Sequence, residues 1–112
     1  MLDVDAELEF SAIGFPLLRQ MDALKSFGTG NPEPLFLSKG VEISERKDFN
    51  GGVRLKLRQG SRSVDAVAFN KEKDLPFQPG ANVDLVYRLS ENEWNGTRTV
   101  ELRIQDARLT GG

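Results

Sequence analysis

The chain has 112 residues, of which 38% are hydrophobic and 29% are charged, a composition typical of one globular domain. It contains no cysteine and no histidine, which excludes a disulfide scaffold, thiolate or imidazole metal sites, and Ser-His or Cys-His catalysis. No apolar run approaches the length of a membrane span, and the acidic N-terminus is unlike a targeting peptide, so we expect a cytoplasmic protein without membrane contact.

The charges are unevenly distributed, although the net charge is only −2. Residues 1–34 carry six acidic and two basic side chains. Residues 46–62 carry six basic side chains and one acidic one, Asp48. The basic residues of this region are Arg46, Lys47, Arg54, Lys56, Arg58 and Arg62. One local region is therefore basic within an acidic chain, and this distribution matters more for binding than the sum.

The N-terminal part contains one short strand candidate and one helix candidate. Residues 7–10 alternate in polarity, but no strand-like segment follows them directly, so we expect the sheet partners of this strand to lie outside the sequence. Apolar residues then recur at helical spacing, which predicts a helix over 16–27. Pro16 suits the first turn of this helix, and Gly28 is a natural stop.

Residues 28–36 form a junction rich in glycine and proline. The hydrophobic periodicity is helical before the junction and alternating after it. Since Glu33 is its only charged residue, we interpret the junction as structural and not as a binding loop.

Five strand candidates follow the junction. They cover residues 35–47 with a bend or bulge at Gly40, then 53–58, 63–69, 83–89 and 98–109. Asn95-Gly96 predicts a tight hairpin between the last two strands, and the polar segment 70–80 predicts a connection with room for one helical turn. These features favour a mainly β protein, a five-stranded Greek-key barrel of the OB type with one N-terminal helix. Periodicity alone leaves an SH3-like barrel and an open antiparallel sheet as alternatives.

Several motifs resemble a known family. The segment Phe27-Gly28-x-Gly30-Asn31-Pro32-Glu33-Pro34-x-Phe36 is similar to the entry into the C-terminal OB domain of RecJ-type single-strand-specific exonucleases. Residues 84–89 and 92–96 resemble the fourth strand and the hairpin of that domain, and Val100-x-Leu102-x-Ile104-x-Asp106 resembles its last strand. Together with Ala66-x-Ala68-Phe69, these matches cover nearly all of 20–108 in order.

The resemblance implies a fragment of a larger enzyme. Members of the family degrade single-stranded DNA 5′→3′ in recombination and repair, and their DHH-type core binds manganese or magnesium through Asp and His. A chain without histidine cannot contain that core, so no catalytic residue and no cofactor are expected here. Residues 1–27 would be the tail end of the preceding core domain, 28–36 the junction and 35–110 the OB barrel. The implied partners are single-stranded DNA, the nuclease core of the same protein and other repair proteins.

The basic region supplies the candidate binding site. Arg54, Lys56 and Arg58 alternate with apolar residues, which places them on one strand face about 6–7 Å apart. In OB folds this strand and the loops beside it bind oligonucleotides. The full candidate set is Arg46, Lys47, Phe49, Arg54, Lys56, Arg58, Arg62, Trp94 and Arg98. The alternative for the cations is a solvated strand face that happens to be basic.

The two aromatic candidates could each stack on a base. For Trp94 we favour the alternative, packing across its own hairpin, and for Phe49 both interpretations stay open. Tyr87 shares a strand face with apolar residues, so we expect it in the core with its hydroxyl at the rim. Pairs of carboxylates such as Glu7 and Glu9 lack further ligands and predict no metal site.

The sequence thus favours a single-stranded-DNA-binding module. A scaffold or protein-docking module that stabilises the nuclease core is the second hypothesis. A stand-alone OB protein that binds RNA is the third and weakest.

Overall fold

The computed structural model describes residues 4–25, 33–70 and 74–111. The elements in chain order are β1 (Ala6–Glu7), a 3-10 turn (Phe10–Ala12), α1 (Phe15–Lys25), β2 (Phe36–Phe49), β3 (Gly52–Gln59), β4 (Arg62–Phe69), β5 (Asn82–Trp94) and β6 (Thr97–Leu109). Within these ranges, no helix has both the length and the apolar character that a bilayer crossing requires.

Strands β2 to β6 close into a barrel. Their order is β2-β3-β4-β6-β5, and β2 also pairs with β5, which closes the sheet on itself. All neighbours are antiparallel except β4 and β6, which are parallel. This is the strand order of an OB barrel, so the predicted fold class is confirmed, with β1 as an additional strand outside the barrel.

The bend predicted at Gly40 is present in β2 and allows this strand to serve two neighbours. Its first part pairs with β5 and its second part with β3, and the register with β5 shifts between Ser38 and Val41. Gly40 has φ = 64°, a value that favours glycine. Its backbone N–H donates to Asp84 Oδ1 on β5 at 3.0 Å, which fixes the bend.

The hairpin of β5 and β6 is longer than the sequence predicts. The ladder continues as far as the pair Trp94 and Thr97, where Asn95 (φ = 50°) and Gly96 (φ = 79°) form the predicted two-residue turn. Residues 90–93 are polar and show no apolar alternation, so periodicity could not identify them as strand. The tight turn instead holds them in register.

The barrel core includes two aromatic side chains, of which only Tyr87 was predicted to be buried. Tyr87 is fully buried, as expected, but its hydroxyl contacts Ser38 Oγ at 2.7 Å inside the protein and does not reach the rim. Phe77 is also fully buried, although it lies in the polar connection 70–80, which has no apolar periodicity. The described part of that connection, 74–80, consists of turns without a helix.

The N-terminal segment packs onto the barrel. β1 pairs in parallel with the start of β2, so the expectation that this strand has no partner in the chain is wrong. The partner strand begins about 30 residues later in the sequence, so a pattern of neighbouring residues could not identify it. Phe10 and Ile13 are buried in the barrel core, as is Leu18 of the helix. The helix extends to Lys25, the last described residue before 33, and the predicted helix end at 27 and stop at Gly28 lie outside the described residues.

Candidate nucleic-acid interface

The alternation of β3 places its basic side chains on the outside of the barrel. Val53, Leu55 and Leu57 are buried, whereas the three cations between and after them are exposed. The predicted face of Arg54, Lys56 and Arg58 therefore exists, but its three members have different surroundings.

Four of the predicted cations line one surface cleft of about 270 Å³. Arg46 and Lys47 come from β2, and Arg54 and Lys56 come from β3, because the register places these ends of the two strands side by side. Three carboxylates line the same cleft, those of Glu45, Asp65 and Glu101. We call this the first cleft. Its charged side chains give it a net charge of only +1.

A second cleft of about 380 Å³ adjoins the first. Arg62 of β4 and Arg98 of β6 line it, together with Phe15 at the start of α1. Lys56 and Asp65 line both clefts and lie where the two meet. Six predicted cations are thus distributed over two neighbouring clefts. Arg58 lines neither of them.

Most of the arginines are already paired. Arg54 Nη1 lies 3.1 Å from Glu101 Oε2, and Arg58 Nη2 lies 2.7 Å from Glu42 Oε1. Further contacts join Arg46 to Asp48, Arg98 to Glu91 and Arg62 to the Ile13 carbonyl. Lys47 and Lys56 make no hydrogen bond or ion pair with any residue in the described ranges. These two ammonium groups are therefore the most available for a phosphate.

Two exposed phenylalanines flank the first cleft. The ring centroids of Phe49 and Phe69 lie 6.4 Å apart in an edge-to-face arrangement. The Arg54 guanidinium lies 5.7 Å from the Phe49 centroid, and that of Arg103 lies 5.3 Å from the Phe69 centroid. We call these four side chains the aromatic patch. It offers planar groups on which a base could stack.

Phe49 and Arg54 of this patch were predicted from the sequence, whereas Phe69 and Arg103 were not. Alternation alone puts both on outward positions of their strands. What it could not provide is the parallel register of β4 and β6, which pairs Val67 with Arg103 and so brings Arg103 to the neighbouring Phe69.

Gly52 explains why the two rings meet. It pairs with Phe49 across one hairpin and with Phe69 across the next. A Cβ at this position would lie 2.2 Å from the Ala68 carbonyl oxygen and 3.1 Å from Phe49 Cζ. Only glycine leaves room for the rings to close over the strand.

Trp94 ends β5 at the hairpin, but its side chain lies outside the described part of the structure. Base stacking and packing across the hairpin therefore both stay predictions for this residue. No group of three or more acidic side chains with the geometry of a metal site occurs among the described residues. The described clefts thus offer binding groups and not a metal centre.

Comparison with known proteins shows to which family this chain belongs. A sequence model described as the RecJ OB domain matches residues 4–106. The chain belongs to the RecJ OB domain family. The RecJ single-stranded-DNA-specific exonuclease of Bacillus subtilis is 29% identical over 96% of this chain. That of Thermus thermophilus is 36% identical over 86% of it. The matches span 14% of each relative, so this RecJ OB domain corresponds to a small part of those enzymes.

The fold of the RecJ OB domain agrees with a solved structure. A crystal structure of Thermus thermophilus RecJ in complex with Mn²⁺ superposes with a TM-score of 0.68 at 33% identity. The match covers 97% of this chain and 16% of the RecJ chain. The division of this chain into 1–27, 28–36 and 35–110 stays a prediction.

Proposed function

We propose that this RecJ OB domain binds single-stranded DNA and holds it for a nuclease core elsewhere in a longer protein. The observation that carries the proposal is the first cleft, where β2 and β3 bring four cations together on the outer face of the barrel. OB folds bind oligonucleotides on this face. The curated relatives are named single-stranded-DNA-specific exonucleases, which agrees with such a ligand.

The chemistry of hydrolysis belongs to the rest of that longer protein. This chain has no histidine, and its described residues contain no metal-binding group. Solved RecJ structures carry Mn²⁺ or Mg²⁺. We propose that a nuclease core binds such an ion, while the OB domain contributes only contacts to the DNA strand.

Binding by the isolated domain is expected to be weak. The first cleft is almost neutral, and Lys47 and Lys56 are its cations without a partner among the described residues. Few phosphate contacts give a dissociation constant in the range of about 10–100 µM at low salt, and a shallow dependence on salt. The domain would act mainly by raising the local concentration of the strand near the core.

Titration of a labelled single-stranded oligonucleotide at low salt tests the proposal. The double variant Lys47→Glu/Lys56→Glu is expected to lose about tenfold in affinity. The matched control is Lys39→Glu, which changes an exposed lysine paired with Glu7 outside both clefts and should bind like the wild type. No binding by the wild type at about 100 µM, or an unchanged affinity of the double variant, would contradict the proposal.

A scaffold role is the second candidate, and one observation favours it. Phe10, Ile13 and Leu18 of the N-terminal segment are buried in the barrel core, so the barrel is packed against what precedes it. In the longer protein, cleavage of substrates too short to reach the barrel separates the two roles. A scaffold predicts that Phe10→Ala inactivates the enzyme on short and long substrates alike. A binding module predicts that Lys47→Glu/Lys56→Glu affects only the long ones.

A further inference from the structure

An asparagine followed by glycine occurs twice in the chain, at Asn50-Gly51 and at Asn95-Gly96, and each pair forms the turn of a hairpin. This pair of residues is prone to spontaneous deamidation, because the glycine nitrogen has no side chain beside it and can attack the asparagine side-chain amide. Both asparagines are exposed, and neither side chain makes a hydrogen bond with any residue in the described ranges. The two pairs are thus chemically alike, and only their surroundings differ.

The Asn95-Gly96 turn lies at the end of an arm that extends from the barrel. We call residues 90–100 the hairpin arm. β2 pairs with β5 only as far as Tyr87, and β4 pairs with β6 only from Glu101 onwards, so among the described residues the hairpin arm is a ribbon of two strands. Every side chain from 91 to 99 whose burial is described is exposed. A two-stranded hairpin without a buried face is marginally stable, so the end of this arm opens more often than the barrel does.

The Asn50-Gly51 turn is held by packing on both sides. Phe49, directly before the turn, meets Phe69 in the edge-to-face contact of the aromatic patch. Gly52, directly after the turn, is buried and pairs with both phenylalanines. Opening of this turn would have to separate these contacts, so its asparagine is protected.

We infer that Asn95 is a site of spontaneous deamidation and that Asn50 is protected from it in the folded chain. The Gly96 N–H loses its proton to hydroxide, and the nitrogen attacks Cγ of Asn95. A new C–N bond closes a succinimide ring, and the side-chain nitrogen leaves as ammonia with a proton from water. Ring closure needs rotation of the Asn95 backbone away from its turn conformation, in which φ is 50°, so the reaction proceeds through the open arm. The inference goes beyond the proposed function and does not depend on it.

Water opens the succinimide at either carbonyl, and the two products differ in their effect on the turn. Aspartate followed by glycine suits the same two-residue turn, so the aspartyl form keeps the hairpin arm. Isoaspartate continues the chain through its side-chain carbon and lengthens the backbone, so the isoaspartyl form disturbs the register of the arm. Both products add a negative charge to an arm that already carries Glu91 and Glu93.

Incubation of the folded chain at mildly alkaline pH, followed by tryptic digestion and mass spectrometry, tests the inference. Peptide 89–98 contains Asn95, and peptide 48–54 contains Asn50. We expect Asn95 to react at least about fivefold faster than Asn50 in the folded chain, and at a similar rate in denaturant. Fragment ions distinguish Asn95 from Asn92, and a sample digested without incubation gives the background. Equal rates in the folded chain, or a faster reaction at Asn50, would overturn the inference.

The opening of the arm is tested by a pair of variants. Arg98 is paired with Glu91 across the hairpin arm, and Arg58 is paired with Glu42 on the barrel. Arg98→Ala weakens the arm and should raise the deamidation rate of Asn95 about twofold, whereas Arg58→Ala should leave it unchanged. An equal effect of the two variants, or no effect of Arg98→Ala, would contradict a reaction through the open arm.

Discussion

Arg54 donates to the carboxylate of Glu101 at 3.1 Å, on the wall of the first cleft. The side chain of Glu101 is 12% exposed and that of Arg54 is 56% exposed, so the carboxylate is fixed and the cation faces solvent. A phosphate that approaches Arg54 therefore meets a negative charge that is already present. This ion pair lowers the positive potential of the cleft and holds Arg54 in place over Phe49.

Replacing Glu101 by Gln is expected to raise the affinity for single-stranded DNA. The change removes one negative charge from the cleft and leaves an amide oxygen that can still accept from Arg54. We expect an increase of about two- to fivefold, equivalent to about 0.5–1 kcal/mol. Equilibrium titration at low salt measures it. Glu42→Gln removes the partner of Arg58 outside the clefts and should have no effect. A weaker complex with Glu101→Gln would mean that Glu101 mainly positions Arg54.

Asp84 is expected to stabilise the barrel in a pH-dependent way. Burial on its own would raise the pKa of Asp84, but the Gly40 N–H, the Thr110 hydroxyl and Arg108 together lower this pKa below its ordinary value. A lowered pKa contributes stability at pH values above the unfolded pKa, and the contribution is lost as the pH falls through the folded pKa. Asp84→Asn should therefore cost about 1–3 kcal/mol in the free energy of unfolding near pH 7 and less near pH 3, which lies below the ordinary pKa of an aspartate.

Denaturant unfolding at the two pH values measures the effect of Asp84→Asn. The control is Asp65→Asn, an exposed carboxylate without a partner among the described residues, which should change the free energy of unfolding by less than about 0.5 kcal/mol. A loss for Asp84→Asn that does not depend on pH would show that its charge is not what fixes the Gly40 bend.

Tyr87 is expected to resist ionisation. Ser38 gives its one hydroxyl hydrogen to the Leu8 carbonyl at 2.8 Å, so Tyr87 must donate to Ser38 Oγ. Burial raises the pKa of Tyr87 to about 12. The neutral Tyr87 hydroxyl therefore makes its full contribution to the free energy of unfolding below the unfolded pKa of about 10, and this contribution is lost as the pH rises towards 12.

The ultraviolet absorbance of tyrosinate measures this ionisation directly, because Tyr87 is the only tyrosine in the chain. The alkaline titration should have its midpoint near 12, or coincide with unfolding. Tyr87→Phe should lower the free energy of unfolding by about 0.5–1.5 kcal/mol at neutral pH. Because this variant has no hydroxyl to ionise, it should unfold at a higher pH than an equally destabilised variant that keeps Tyr87. A midpoint near 10 in the folded protein would contradict the buried hydroxyl contact.

Gly52→Ala is expected to destabilise the barrel more than Gly60→Ala does. At Gly52 the added methyl group would overlap the Ala68 carbonyl and press on Phe49, so we expect a loss of about 2–3 kcal/mol. At Gly60 (φ = 60°) no atom lies within 4 Å of the added Cβ, so the only cost is the left-handed backbone conformation, about 1 kcal/mol. Denaturant unfolding compares the two. Equal losses would show that the hairpins shift to admit the methyl group.

The features that were predicted correctly depend on residues that are close together in the sequence. Alternation identified the inward faces of the barrel strands, and Asn95-Gly96 and Gly40 marked the turn and the bend, because each depends on neighbouring residues alone. The partner of β1, the buried Phe77 and the neighbours of Arg54 depend on pairing between distant segments. Glu101 reads as an ordinary outward residue in the sequence, and only the β4–β6 register brings it to the basic cleft. The cations that line the two clefts were therefore named from the sequence, whereas the carboxylates of the first cleft, Phe69 and Arg103 were not, and the binding role of all of them stays a prediction.

Two hydrogen bonds join Asp5 to Leu35, next to the pairing of β1 with β2. The Asp5 N–H donates to the Leu35 carbonyl at 2.8 Å, and the Leu35 N–H donates to Asp5 Oδ2 at 2.8 Å. The ends of the segment between them are thus joined by two hydrogen bonds beside the β1–β2 pairing, and separation of β1 from the barrel would have to break both. Because the two ends are held together in this way, extra residues inserted between them would cost little in loop-closure entropy.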